Sequence, residues 1–76
     1  MDFEYPVIDK KKIGSTLKRY MQERGLTARD VQEYLGLACV QTVYRWTAGI
    51  SVPTVGNLYA LSRLMNTSVD TFISGN

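Results

Sequence analysis

The sequence contains no histidine, and Cys39 is its only cysteine. Without histidine the chain lacks the commonest general base and a common ligand of catalytic zinc. A single cysteine cannot form an internal disulfide. The carboxylates are scattered, no nucleophile has a base within reach, and no glycine-rich phosphate loop is present. We therefore expect a protein that is not an enzyme and that has no catalytic residue, metal site or cofactor.

Long hydrophobic runs are missing as well. No segment approaches the roughly 18 apolar residues of a membrane span, and the first five residues lack the basic start and apolar stretch of a signal peptide. The composition, 45% hydrophobic and 21% charged, is that of a globular protein. We expect a soluble, cytoplasmic chain that makes no membrane contact, with an N-terminal arm at residues 1–9 and one small domain at residues 10–76.

The net charge of +2 is unevenly distributed. Residues 1–9 carry three acidic side chains and no basic one, whereas residues 10–45 carry eight basic against three acidic side chains. Residues 46–76 contain only Arg63 and Asp70. The basic centre can attract a polyanion, but a solvated helix face has the same composition, so both interpretations stay open here.

Capping residues and glycines divide the domain into five predicted helices and no strand. The first spans residues 10–24 after Asp9, and Gly14 within it predicts the close approach of another backbone. Thr27 with Asp30 approximates a capping box before the second helix, and the third spans residues 40–48. Thr54 and Ser68 begin the last two helices. The predicted buried positions are Ile13, Leu17, Tyr20, Met21, Val31, Tyr34, Leu35, Val55, Leu58, Leu61, Leu64, Met65, Val69, Phe72 and Ile73.

Helices two and three are short and closely spaced, which is the outline of a helix-turn-helix. At 100° per residue, Val43 and Trp46 share the buried side of helix three. The opposite side carries an amide, a phenol, a guanidinium and a methyl group, from Gln41, Tyr44, Arg45 and Ala48. Glutamine can pair with adenine and arginine with guanine, so this face suits base edges in the major groove. A polar outer face is also ordinary for any amphipathic helix.

The chain resembles the Cro/C1-type helix-turn-helix family, the XRE family of lambda-repressor-like regulators. The resemblance covers roughly residues 12–74 and rests on the order and spacing of Ile13-Gly14, Arg24-Gly25-Leu26-Thr27, Tyr34-Leu35-Gly36, Val43-x-Arg45-Trp46-x-x-Gly49, Pro53-Thr54, Asn57-Leu58-x-x-Leu61 and Ser68-Val69-Asp70. It implies an all-α, five-helix bundle whose third helix enters the major groove while the second lies across the backbone. The function implied is a sequence-specific transcriptional regulator, a repressor acting as a homodimer on a palindromic operator in double-stranded DNA.

By position, the resemblance assigns the base-reading residues as Gln41, Thr42, Tyr44 and Arg45. Thr27 and the amide of Ala28 would meet a phosphate at the start of helix two, where the helix dipole favours an anion. Phosphate contacts on the other side would come from Ile50, Ser51, Thr54 and Asn57, and a lysine of the first helix, Lys12, would add another.

The sequence departs from the family pattern at four places. Ala28 stands where many members have glutamine, and the loop at residues 50–52 is neutral where many are basic. Met21 and Thr47 replace a frequent arginine–glutamate pair. The turn before helix three is one residue longer than in lambdoid repressors, so Cys39 and Val40 could each be a reader, a cap or core.

The alternative function is a protein-interaction module, an antitoxin or adaptor subunit that uses the same bundle. It is motivated by the neutral loop, by the missing glutamine at position 28 and by the apolar residues of the arm, Phe3, Tyr5, Val7 and Ile8. Such an arm could add to the edge of a partner or close a dimer. Salt dependence separates the two functions, because DNA binding weakens steeply as salt rises.

Overall fold

The computed structural model describes residues 7–75, which form five helices and no strand. The helices are α1 (Lys10–Arg24), α2 (Ala28–Leu35), α3 (Gln41–Thr47), α4 (Val55–Leu64) and α5 (Val69–Ser74). The predicted all-α, five-helix architecture is confirmed, with α3 one residue shorter at each end than expected. Most of the predicted arm, residues 1–6, lies outside the described residues. No helix between residues 7 and 75 has both the length and the apolar character needed to cross a bilayer.

The helices begin where the capping residues predict. The Asp9 carboxylate accepts hydrogen bonds from the amides of Lys11 and Lys12, at 3.0 and 3.2 Å. Thr27 and Asp30 form a reciprocal capping box at the start of α2. These side chains satisfy amides that the first helical turn leaves without a backbone partner.

All five helices contribute residues to the hydrophobic core, and α1 packs against both α3 and α5. Trp46 is 3% exposed and is part of this core, as predicted. The Tyr20 and Phe72 rings lie 5.7 Å apart between α1 and α5, and the Arg24 guanidinium donates to the carbonyl of Met65 at the end of α4. The fully or largely buried hydrophobic residues are Ile13, Leu17, Met21, Ala28, Val31, Val43, Trp46, Leu58, Leu61, Met65 and Phe72.

Gly14 brings α1 against the backbone of α3. A Cβ atom added at Gly14 would collide with the Trp46 carbonyl oxygen and would lie 3.1 Å from the Thr47 carbonyl oxygen. The predicted close approach is therefore confirmed, and its partner is the C-terminal end of α3. This contact fixes how far α3 stands from α1.

Two predicted core positions are wrong. Tyr34 is 51% exposed, because the buried stripe of α2 is formed by Ala28, Val31 and the half-buried Leu35, and Tyr34 lies at the edge of that stripe. Val55 is 86% exposed. It is the first residue of α4, where a side chain leans past the N-terminal end of its helix, and no described element covers that end.

Candidate nucleic-acid interface

The outer face of α3 is a polar ridge formed by Gln41, Tyr44, Arg45 and Ala48. All four side chains are exposed, while Val43 and Trp46 on the opposite side are buried. The core contacts of those two residues fix the rotation of α3 about its axis, so the ridge must face outward. Together with Ile50, the ridge lines a shallow groove of about 370 Å³. The structure thus brings three of the predicted base readers side by side.

Thr42, the fourth predicted base reader, lies beside this ridge. Its side chain is half-buried, and its hydroxyl lies 3.6 Å from the Cys39 thiol in hydrogen-bonding geometry. The bond to Thr42 lowers the pKa of the exposed Cys39 thiol, and the nearby Arg45 guanidinium acts in the same direction. Cys39 therefore lies on the solvent side of the lengthened turn, next to the ridge.

Val40 occupies the N-cap position of α3 without supplying a side-chain cap. Its backbone is helical, and its side chain cannot cap the helix, because valine has no polar side-chain atom. The half-buried side chain packs against the hydrophobic core. Of the three roles left open for Val40, the structure supports a cap position with a core contact.

A second cleft, of about 330 Å³, separates the start of α2 from α1 and α3. Its lining residues are Lys18, Met21, Gln22, Leu26, Thr27, Ala28, Tyr44 and Thr47. The cleft brings Thr27 and Ala28, two predicted phosphate contacts, next to Tyr44 of the ridge. Met21 and Thr47, which replace the family's ion pair, lie on its wall.

Lys18 and Gln22 supply a cation and an amide to this cleft, and neither residue was predicted from the sequence. They are exposed neighbours at i and i+4 on α1. The sequence could have indicated them by their position, because each directly follows a buried residue, Leu17 or Met21, and so lies at the border of the buried stripe.

The capping box determines what the start of α2 can offer an anion. The Thr27 amide donates to the Asp30 carboxylate at 2.8 Å, and the Asp30 amide donates to the Thr27 hydroxyl at 3.1 Å. These bonds hold the pKa of Asp30 below its ordinary value, with the backbone amide of Thr27 as the largest cause. The amides that point out of this helix start are consequently those of Ala28 and Arg29.

The loop between α3 and α4 is held against the end of α3. The amides of Ile50 and Ser51 both donate to the Arg45 carbonyl, at 3.0 and 3.4 Å. Ile50 is exposed beside the ridge, and Ser51 is half-buried. This loop therefore continues the surface of the ridge towards α4.

The remaining predicted phosphate contacts are more dispersed. The Thr54 hydroxyl accepts from the Asn57 amide at 3.3 Å, which places both residues at the start of α4. Lys12 lines neither cleft: its side-chain carbons lie against Gly75 at the end of α5. Lys11, by contrast, lies against Gly49 directly after α3. Of these three predicted contacts, none is in the groove beside the ridge.

Comparison with known proteins agrees with this geometry. The helix-turn-helix family HTH_3 matches residues 17–72. The chain is similar in fold to the crystal structure of an HTH_3 family transcriptional regulator from Vibrio cholerae, with a TM-score of 0.72 at 22% sequence identity. That similarity covers 90% of this chain and 38% of the Vibrio chain. No curated protein matches the sequence. Since the family match spans most of the chain and both halves of the helix-turn-helix, the chain belongs to the Cro/C1-type helix-turn-helix (XRE) family.

Proposed function

We propose that this protein is a sequence-specific DNA-binding transcriptional regulator that reads double-stranded DNA with α3 in the major groove. The observation that carries the proposal is the exposed ridge of Gln41, Tyr44 and Arg45 on a helix whose opposite face is buried. In this arrangement Gln41 pairs with an adenine and Arg45 with a guanine, while Tyr44 and Thr42 contact neighbouring bases. No acidic side chain interrupts the ridge to repel phosphate.

Phosphates would flank the ridge on two sides. On the α2 side, the Thr27 hydroxyl and the Ala28 amide bind one phosphate, and Lys18 across the cleft adds the charge. Lys18 thereby replaces the clamp that many family members obtain from a glutamine at position 28. On the other side, the side chains of Ser51, Thr54 and Asn57 bind the second phosphate group, and Lys12 adds a more distant contact. Ile50, predicted as a phosphate contact, has no free donor, because its amide already donates to the Arg45 carbonyl and its side chain is apolar.

The regulator would act as a repressor and as a homodimer on a palindromic operator. Two copies of α3 then enter successive major grooves about 34 Å apart, one turn of DNA. The relationship to a transcriptional regulator of the same family supports the regulatory role.

The salt dependence of binding to random-sequence duplex DNA tests the proposal. Each phosphate contact contributes about −0.9 to the slope of log affinity against log salt concentration. Removing the cation in Lys18→Ala should therefore make this negative slope less steep by about 1. Arg63→Ala is the matched control, because Arg63 is an exposed cation of α4 that lines neither cleft beside the ridge. No binding of the wild type at low salt would contradict the proposal.

That negative result would favour the alternative function, a protein-interaction module such as an antitoxin or adaptor subunit. The observation behind the alternative is the exposed apolar pair Val7 and Ile8 directly before α1, 85% and 54% exposed. The other apolar residues of the arm, Phe3 and Tyr5, lie outside the described residues. For this alternative we expect that neither the wild type nor Lys18→Ala binds DNA in a salt-sensitive way.

A further inference from the structure

A short acidic part of the N-terminal arm has no role in the interface described above. Residues 2–5, Asp2-Phe3-Glu4-Tyr5, carry two carboxylates and no basic side chain. They lie outside the described residues, so their sequence and the described surface within their reach indicate what they bind. The third carboxylate of the arm, that of Asp9, already caps α1. Residues 2–5, called the acidic segment below, thus carry negative charge that helix capping does not explain.

The α3 ridge and the start of α1 carry cations that no carboxylate of residues 7–75 neutralises. Arg45 is exposed on the ridge, and Lys11 is exposed in the first turn of α1. Within residues 7–75, the ion pair closer than 4 Å joins Glu23 to Arg24 at the opposite end of α1. Arg45 and Lys11 are therefore open to an acidic partner.

The acidic segment is attached close to these two cations. A Cβ atom added at Gly49, directly after α3, would lie 3.1 Å from the Lys11 Cα atom. Arg45 is four residues before Gly49, about 6 Å along the axis of α3. At about 3.3 Å per extended residue, the chain from Lys11 back to Glu4 spans up to about 23 Å. The carboxylates of the acidic segment can therefore reach both cations.

We propose that the acidic segment binds the α3 ridge of its own chain and competes there with DNA. The carboxylates of Asp2 and Glu4 take the places of phosphates beside Arg45 and Lys11. Charge supports this partner, because residues 10–45 carry an excess of five positive charges and the ridge itself has no acidic side chain. The consequence for DNA rests on the proposed function, whereas the contact itself does not.

The residue pattern of the acidic segment suits the shallow groove beside the ridge. Its two carboxylates alternate with two aromatic rings, and in an extended segment side chains two residues apart share a side. Pro6 disfavours a helix at Tyr5 and favours this extended form. The groove offers the rings the apolar surface of Ile50 and Tyr44, which are 65% and 56% exposed. One side of the segment can thus contact this surface while the other faces the cations.

The contact is weak enough for DNA to displace it. Each exposed ion pair contributes little, but a short connection gives the acidic segment an effective concentration in the millimolar range at the ridge. If the segment occupies the ridge about two thirds of the time, the apparent affinity for DNA falls about threefold, because only the open ridge binds DNA.

Amide NMR spectra recorded without DNA test the contact. At about 10 mM salt, where the Debye length is about 30 Å, the signals of residues 41–50 should differ between the wild type and the double variant Asp2→Asn/Glu4→Gln. At about 1 M salt, where this length is about 3 Å, the difference should largely vanish. The matched control Glu33→Gln/Asp70→Asn removes two charges from exposed positions outside the arm and should leave these signals unchanged.

Two other patterns in these spectra would overturn the inference. Differences confined to residues 7–12 would assign the carboxylates to the neighbouring lysines instead of the ridge. Differences at residues 41–50 that grow with protein concentration would place the acidic segment on another copy of the chain.

Binding to random-sequence duplex DNA at low salt tests the competition. Asp2→Asn/Glu4→Gln should bind about threefold more tightly than the charge-matched control, because its ridge is always open. Equal affinities of the two double variants would show that net charge alone acts and would contradict the competition. If neither the wild type nor the variants bind DNA, the proposed function and the competition both fail, while the contact seen by NMR is unaffected.

Discussion

Replacing Gly14 with alanine should destabilise the protein although alanine is the better helix former. The added methyl group would collide with the Trp46 carbonyl oxygen, and it would lie 3.1 Å from the Thr47 carbonyl oxygen and 3.3 Å from the Gly49 amide nitrogen. All three are backbone atoms, so no side-chain rotation relieves the contact. The collision is relieved only if α1 and α3 move apart and lose part of their packing.

The expected loss is a difference between two effects. Forcing an extra methyl group into a packed site costs about 1–3 kcal/mol, and the rigid backbone on the opposite side argues for about 3. The helix gains about 1 kcal/mol when glycine becomes alanine. The free energy of unfolding should therefore fall by about 2 kcal/mol. For a domain of this size that is a drop in Tm of about 8–16 °C.

Urea denaturation followed by tryptophan fluorescence measures this loss directly, because the sole tryptophan, Trp46, is buried at the contact. Gly56→Ala is the matched control. It makes the same chemical change inside a helix, but the new methyl group meets nothing within 4 Å. This control should gain up to about 1 kcal/mol in the free energy of unfolding. If Gly14→Ala is as stable as the wild type, or if both variants shift alike, the packing explanation is wrong.

Further predictions concern the capping box and the exposed thiol. Thr27→Ala should lower the free energy of unfolding by about 1 kcal/mol, as measured by urea denaturation. Asp30, whose pKa the folded state lowers, stabilises the fold above its ordinary pKa and loses this effect as pH falls through the folded value. The stability advantage of wild type over Asp30→Asn should thus narrow on acidification; a pH-independent difference would refute the assignment. Cys39 should react with iodoacetamide at a lower pH than an ordinary thiol does, because the Thr42 hydroxyl lowers its pKa. Bound DNA should slow this alkylation, and an unchanged rate would exclude the Cys39 turn from the interface.

The features that the sequence predicts best depend on residues close together in the chain. Asp9 and Thr27 were identified as caps because their side chains bond to amides only two or three residues away. The prediction that Tyr34 and Val55 are buried is wrong, because their burial depends on contacts with residues that are distant in the chain. Periodicity indicates which side of a helix is apolar, but the extent of burial depends on how far neighbouring helices reach along it.

The same distinction applies to the candidate site. The α3 ridge could be predicted, because the buried Val43 and Trp46 determine which side of the helix is exposed. The cleft that joins Lys18 to Thr27 could not, since it depends on the distance between α1 and the start of α2. Gly14 signalled a close approach, yet only the folded chain identifies α3 as the element that approaches.

Selection of bound sites from random duplex DNA, made in parallel with wild type and Arg45→Ala, tests whether α3 reads the bases of its site. The wild type should enrich a symmetric motif with half-sites about 34 Å apart. Arg45→Ala should enrich the same motif with the preference lost at one base pair of each half-site, a loss of about 1–3 kcal/mol in discrimination. Identical motifs from both proteins would refute Arg45 as a base reader. An unenriched wild-type pool would contradict sequence-specific DNA binding altogether.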